Sequence, residues 1–92
     1  MIKSIQHKGL KLYWVKGDSS KLPADQIRRI GLILDILDAS VLINDINFPG
    51  ANLHALKGDL RGKWAVAVKA NWRIVFEFLD GDVYLVDYMD YH

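Results

Sequence analysis

The apolar positions of this chain change period once. Ile27, Ile30, Leu34 and Leu37 recur at helical spacing, with Ile33 widening the stripe, and predict an amphipathic helix with one buried face. Pro23 suits its first turn, where a missing N–H is harmless. Asp25 stands three and four residues before Arg28 and Arg29, a favourable pairing on a helix surface. Asp35 and Asp38 fall in the last turns, where the helix dipole disfavours anions; either a positive group from a partner or loop offsets this, or an exposed helix end tolerates it. A shorter helix over 8–15 sets Leu10, Tyr13 and Trp14 on one side and Lys8 and Lys11 on another, and Gly17-Asp18-Ser19-Ser20 ends it. Residues 2–5 read as a short strand, and 40–49 as a turn and loop closing at Gly50.

From Leu53 onward the period is two. Trp64, Val66 and Val68 alternate with Ala65, Ala67 and Lys69; Trp72, Ile74, Phe76 and Phe78 alternate with Arg73, Val75 and Glu77. Each strand therefore has a heavy face and a light one. Gly58-Asp59-Leu60-Arg61-Gly62 and Asp80-Gly81 read as connections, the latter a strong hairpin signal, and Asn71 is expected to take the left-handed conformation at the remaining reversal. Residues 83–88 read as a last core strand. The predicted fold is a single α+β domain over 1–92, with two N-terminal helices packed on an antiparallel β-sheet meander. The sheet buries Trp72, Ile74, Phe76 and Phe78 under the second helix and offers its other face to solvent or ligand.

Composition narrows the chemistry. A chain of 92 residues that is 51% apolar can fill one core, and it contains no cysteine, which removes disulfides and thiolate nucleophiles. His7, His54 and His92 have no metal-ligand spacing, so no metal or other cofactor is expected. No export signal or spanning segment is recognisable, which points to the cytoplasm and away from the membrane. The net charge is only +1, but its distribution is uneven. Lys3, Lys8, Lys11, Lys16 and Lys21 form one basic segment, and Lys57, Arg61, Lys63, Lys69 and Arg73 another.

Arg73 lies mid-strand on the face opposite the aromatic stripe, where a guanidinium can grip a phosphate through two parallel hydrogen bonds; an ion pair with Glu77 or with a cross-strand Asp87 is the alternative. His54 and Lys57 would point to opposite faces of a regular strand, so a shared site needs that strand to end before Gly58. Asp90, Tyr91 and His92 follow the last apolar run directly. The adjacent α-carboxylate biases His92 towards its protonated form, and Tyr91 offers a ring for base stacking. Two cations, two imidazoles, a carboxylate and a phenol suit metal-free cleavage of an RNA phosphodiester by the neighbouring 2′-hydroxyl.

Leu53-His54, Leu56-Lys57-Gly58-Asp59, Asn71-Trp72-Arg73-Ile74, Phe76-Glu77-Phe78, Asp80-Gly81-Asp82 and Val86-Asp87-Tyr88, followed by Asp90-Tyr91-His92, resemble the HigB host-inhibition toxins of the RelE/ParE superfamily. Met1-Ile2-Lys3-Ser4 and His7-Lys8-Gly9-Leu10-Lys11 extend the resemblance over essentially the whole chain. It implies an endoribonuclease that enters the ribosomal A site, cuts mRNA during translation and is neutralised by a helix-turn-helix HigA antitoxin. It also implies His54, Lys57, Arg73, Asp90, Tyr91 and His92 as the catalytic set. Lys8, Lys11 and Lys16, with Arg61, Lys63 and Lys69, are the expected contacts to RNA and ribosome. Met89 departs from the family, which usually carries an acidic residue there. Two rival functions are a gyrase-directed ParE-like toxin and a catalytically weak module that only binds an antitoxin.

Overall fold

The computed structural model describes residues 1–90; Tyr91 and His92 lie outside the described residues. Helix α1 (Lys8–Lys16) starts where His7 Nδ1 accepts the Leu10 N–H at 3.2 Å, which satisfies one of the donors every helix start leaves open. It ends at Gly17, whose φ of +73° turns its N–H onto the Tyr13 carbonyl at 2.9 Å. Pro23 does not enter the second helix as expected. It is extended, with ψ +129°, and introduces a 3-10 turn (Ala24–Gln26) before α2 (Ile27–Ala39). Ile30, Ile33, Leu34 and Leu37 are buried along the inner stripe of α2.

The charges around α2 pair differently from the helix-surface expectation. Asp25, carried on the 3-10 turn, reaches across to Lys69, and the hydrogen bond from Lys69 holds its carboxyl below the usual carboxylate range. Arg29 instead donates from Nη2 to the Gly50 carbonyl at 2.9 Å and the Ala67 carbonyl at 3.2 Å, tying the loop before the sheet to the sheet itself. Asp38 accepts the Ile2 N–H at 2.9 Å. A main-chain amide thus offsets the anion at the helix end.

Four strands follow: β1 (His54–Ala55), β2 (Trp64–Lys69), β3 (Trp72–Leu79) and β4 (Asp82–Asp90), antiparallel throughout in the order β1-β2-β3-β4. The segment expected as a first strand makes only two parallel bridges to the free edge of β4, Ile2 to Val83 and Ile5 to Val86. At the reversal between β2 and β3 the left-handed residue is Ala70, with φ +50°, and not Asn71. The pairing register between these strands shifts at Ala67/Lys69; this irregularity moves the bend one residue earlier than composition suggests. Asp80 and Gly81, with φ +52° and +83°, make the hairpin as expected.

A second irregularity lies in β4. Leu85 has φ +53°, and register shifts so that Glu77 faces Tyr84 while Val75 faces Asp87. The extra residue re-phases the strand: Val83, Val86 and Tyr88 all join the main core, although Val83 and Val86 are an odd number of positions apart. The Leu85 N–H donates to Ser4 Oγ at 2.8 Å. The main core lies between the inner sheet face and the two helices, with Ile74 and Phe76 fully buried and Trp72 and Phe78 half-buried against them. The outer face is not simply open: Leu56, Ala65 and Val75 form a second small cluster there, with Leu60 and Met89 packed on it. Among the described residues no helix is long and apolar enough to cross a membrane.

Tyr88 joins the end of β4 to both helices. Its hydroxyl donates to Gln26 Oε1, its ring stacks on Trp72 at 4.6 Å between centroids, and the His7 ring meets it edge-on at 5.6 Å. Burial, with smaller contributions from Asp25 and Asp90, pushes the phenol up to about 12 from its ordinary 10.0. The fold therefore favours the neutral phenol. That stability is complete below pH ~10 and is lost as pH rises through the folded value. Urea unfolding of the protein and of Tyr88→Phe should show it: the variant is weaker by about 1–2 kcal/mol at pH 8, from the stranded Gln26 acceptor, and the gap closes between pH 10 and pH 12. Ala70→Gly should raise stability by about 0.5–1 kcal/mol, because a left-handed alanine is strained and glycine is not; differential scanning calorimetry would read this as a higher Tm.

Candidate active site

Cross-strand neighbours share a face of the sheet. One rung of the pairing runs His54–Ala65–Val75–Asp87 and the next Ala67–Arg73–Met89. Val75 and Met89 belong to the outer cluster. His54 and Arg73, far apart in sequence, therefore sit on the same outer face, which the alternation of β3 indicated for Arg73 alone.

Arg73 is held by its own reversal. Nη1 donates to the Ala70 carbonyl at 2.6 Å and to the Trp72 carbonyl at 3.0 Å, and Nε is buried without a partner. Neither expected carboxylate takes it. Glu77 pairs with Lys63 at 3.3 Å, and Asp87 Oδ1 accepts the Tyr88 N–H at 2.8 Å. Met89 is the residue directly opposite Arg73, so a thioether and not a carboxylate faces it across the strand pair. Among the described residues Arg73 makes no ion pair. Its guanidinium is positioned by the two carbonyls.

His54 occupies the short edge strand. Its Nδ1 lies 2.9 Å from the Asn52 carbonyl. A carbonyl only accepts, so Nδ1 carries the hydrogen and Nε2 of the neutral ring is left with a free lone pair. β1 ends at Ala55, and Lys57 is exposed and extended just before Gly58, whose φ is +66°. The strand thus stops before the glycine, and strict alternation no longer separates Lys57 from His54. Asp90 closes β4 opposite Trp72 and is placed with Tyr88 on the helix side of the strand, across from Arg73. Tyr91 and His92, the other two residues of the proposed set, lie outside the described residues.

The six cations expected to meet RNA divide into two groups. Lys63 and Lys69 are engaged by Glu77 and Asp25. Lys8, Lys11, Lys16 and Arg61 are exposed and in no described ion pair. What sequence reasoning missed is the support of the site: the Tyr88–Gln26 hydrogen bond, the Trp72 stack and the Met89–Arg73 rung. A strand bulge decides all three, and no motif marked it.

The chain matches the family model described as the RelE-like toxin of type II toxin-antitoxin system HigB over residues 3–92. It is 48% identical over 92 residues to the Endoribonuclease HigB of Proteus vulgaris, covering 100% of both chains. It is 37% identical over 60 residues to Toxin HigB-1 of Vibrio cholerae serotype O1, which is 64% of this chain and 62% of that one. In fold it is similar to a YafQ variant from E. coli, with TM-score 0.61 and 18% identity over 98% of this chain and 91% of that one. It is similar also to the YoeB/ParE toxin from Agrobacterium tumefaciens, with TM-score 0.54 and 15% identity over 96% of each. With the family model matched over residues 3–92 and the Proteus relative over the whole chain, the chain belongs to the HigB-like, RelE-type toxins of type II toxin-antitoxin systems.

Proposed function

We propose that this toxin is an endoribonuclease that cuts mRNA on the translating ribosome. A type II toxin implies an antitoxin partner, here of the HigA helix-turn-helix kind. The observation that carries the nuclease reading is the Arg73 guanidinium, anchored by two carbonyls on the face it shares with His54 and in no described ion pair. The naming of the Proteus relative as an endoribonuclease, at 48% identity, supports it.

In the reaction the ribose 2′-oxygen forms a bond to the adjacent phosphorus and the bond from phosphorus to the 5′-oxygen breaks. The 2′-proton leaves to a base, and the 5′-oxygen gains a proton from an acid. Arg73 meets the doubly charged phosphorane with a rigid fork, and Lys57 adds a second cation. The Nε2 of His54 accepts a proton, and the remaining proton transfers and the base contact are assigned to Asp90, Tyr91 and His92. The cations that stabilise the charge are side chains, so the chemistry proceeds without a metal. A chain of net charge +1, with two of its candidate RNA contacts already ion-paired, holds free RNA weakly, because such binding draws on many phosphate contacts. The A site supplies what is lacking by fixing the codon for in-line attack, and such positioning lowers a barrier by several kcal/mol.

Arg73→Ala should lower single-turnover cleavage on programmed ribosomes by roughly 10²–10³-fold, with Arg73→Lys recovering only part of it. His92→Ala should lose about 10²–10⁴-fold, as for a positioned acid or base, with no change in thermal unfolding. Full activity in either alanine variant would remove that residue from the mechanism. A further comparison uses one mRNA, free and on ribosomes, in EDTA. Cutting is expected only on the ribosome, leaving a 2′,3′-cyclic phosphate and a 5′-hydroxyl, and none where the scissile ribose carries 2′-hydrogen. Equal rates on free RNA would sink ribosome dependence, and cutting of the deoxy substrate would sink 2′-attack.

A further inference from the structure

On the edge of the molecule formed by the N-terminal segment and α1, two adjoining cavities of about 340 and 250 Å³ make one groove. Lys11 and Val15 line both. Ile2, Ile5, Trp14 and Leu12 add apolar wall, and Lys3, Lys8 and Lys16 stand around it. All four lysines are exposed, none is in a described ion pair, and no carboxylate lines either cavity. Val15 is 67% exposed in the last turn of the helix. With Leu12, Ile2 and Ile5 it gives this surface an apolar strip bordered by lysines of one sign.

The chemistry of the groove selects its occupant. Phosphates would use the lysines but gain nothing from Val15, Leu12 or Ile5. Trp14 is half-buried against the core, which leaves only part of its ring for stacking. An amphipathic peptide segment uses both parts: apolar side chains fill the floor while carboxylates meet the lysines. We propose that this groove takes an acidic, apolar-anchored segment of the antitoxin, so that Lys8, Lys11 and Lys16, grouped above with the RNA contacts, serve a protein partner instead. The proposal rests on the toxin-antitoxin assignment and not on the cleavage chemistry, and antitoxin affinity is measured without any RNA.

The test is calorimetric titration of full-length cognate antitoxin into the toxin and into Val15→Glu and Lys11→Glu variants, each checked for unchanged thermal unfolding. Both substitutions lie on the exposed surface of α1. Each should weaken binding roughly tenfold or more, as expected for a central anchor and for a reversed charge facing carboxylates. Binding by the parent toxin should weaken with added salt, whereas Lys11→Glu should show a shallower salt dependence. Affinity within twofold of the parent for either variant would overturn the proposal. If that result came with slower cleavage on ribosomes, the groove would be an RNA contact. If it came with loss of a toxin dimer in sedimentation, the groove would be an interface between copies. Because affinity and cleavage are read separately, failure of the groove and failure of the nuclease reading give different results.

Discussion

The structure depends on one extra residue in the last strand. Without the bulge at Leu85, Val83 and Val86 would face opposite sides of the sheet, and Tyr88 would turn away from the helices with Val86. Burying side chains of this size is worth roughly 1.5–3 kcal/mol each, against about 1–2 kcal/mol for holding a leucine in the left-handed region. Burial wins, and the Ser4 hydroxyl meets the amide that the bulge displaces. The same shift fixes what faces outward. Asp87 falls opposite Val75 and Met89 opposite Arg73, so the electrostatics of the outer face are a by-product of how the core solved its packing.

On that face, among the described residues, the charge of Arg73 is left unspent. Neither carboxylate expected beside it takes it. Glu77 goes to Lys63, Asp87 to the neighbouring amide, and the position opposite is a methionine. The guanidinium is oriented by neutral carbonyls, which fix its direction without cancelling its charge. A cation held this way is oriented in advance for an anion, because no ion pair among the described residues has to break first. The small cluster of Leu56, Ala65 and Val75, with Met89 packed on it, lies on the same face, and an apolar neighbourhood of this kind strengthens a charge interaction made beside it.

Elements governed by local pattern were legible in the sequence. The stripe of α2, the two-residue period of β2 and β3 and the Asp80-Gly81 hairpin follow from side-chain spacing and turn chemistry, which act over a few residues. Features set by long-range competition were not. Asp25 had two arginines within helical reach, but the 3-10 turn aimed it at Lys69. Asn71 was the better left-handed residue by intrinsic preference, but register in β2 put Ala70 at that point. The second small core on the outer face comes from a loop folding over the sheet, and no periodicity announces it. Of the candidate site, the residue types were legible, as was the outward direction of Arg73. That His54 shares its face required the register of three strands, and the places of Tyr91 and His92 lie beyond the described residues.

The two parallel bridges from Ile2 to Val83 and from Ile5 to Val86 have a consequence for how the domain folds. They join segments far apart in sequence and close a long loop that contains both helices and most of the sheet. Such a contact carries the full entropy of closing that loop and forms late. It also covers the free edge of β4 and supplies the hydroxyl that satisfies its bulge. The helices and the inner hairpins, whose contacts are local, therefore form before the outer edge of the last strand is covered, and completing that edge is the slow part of folding.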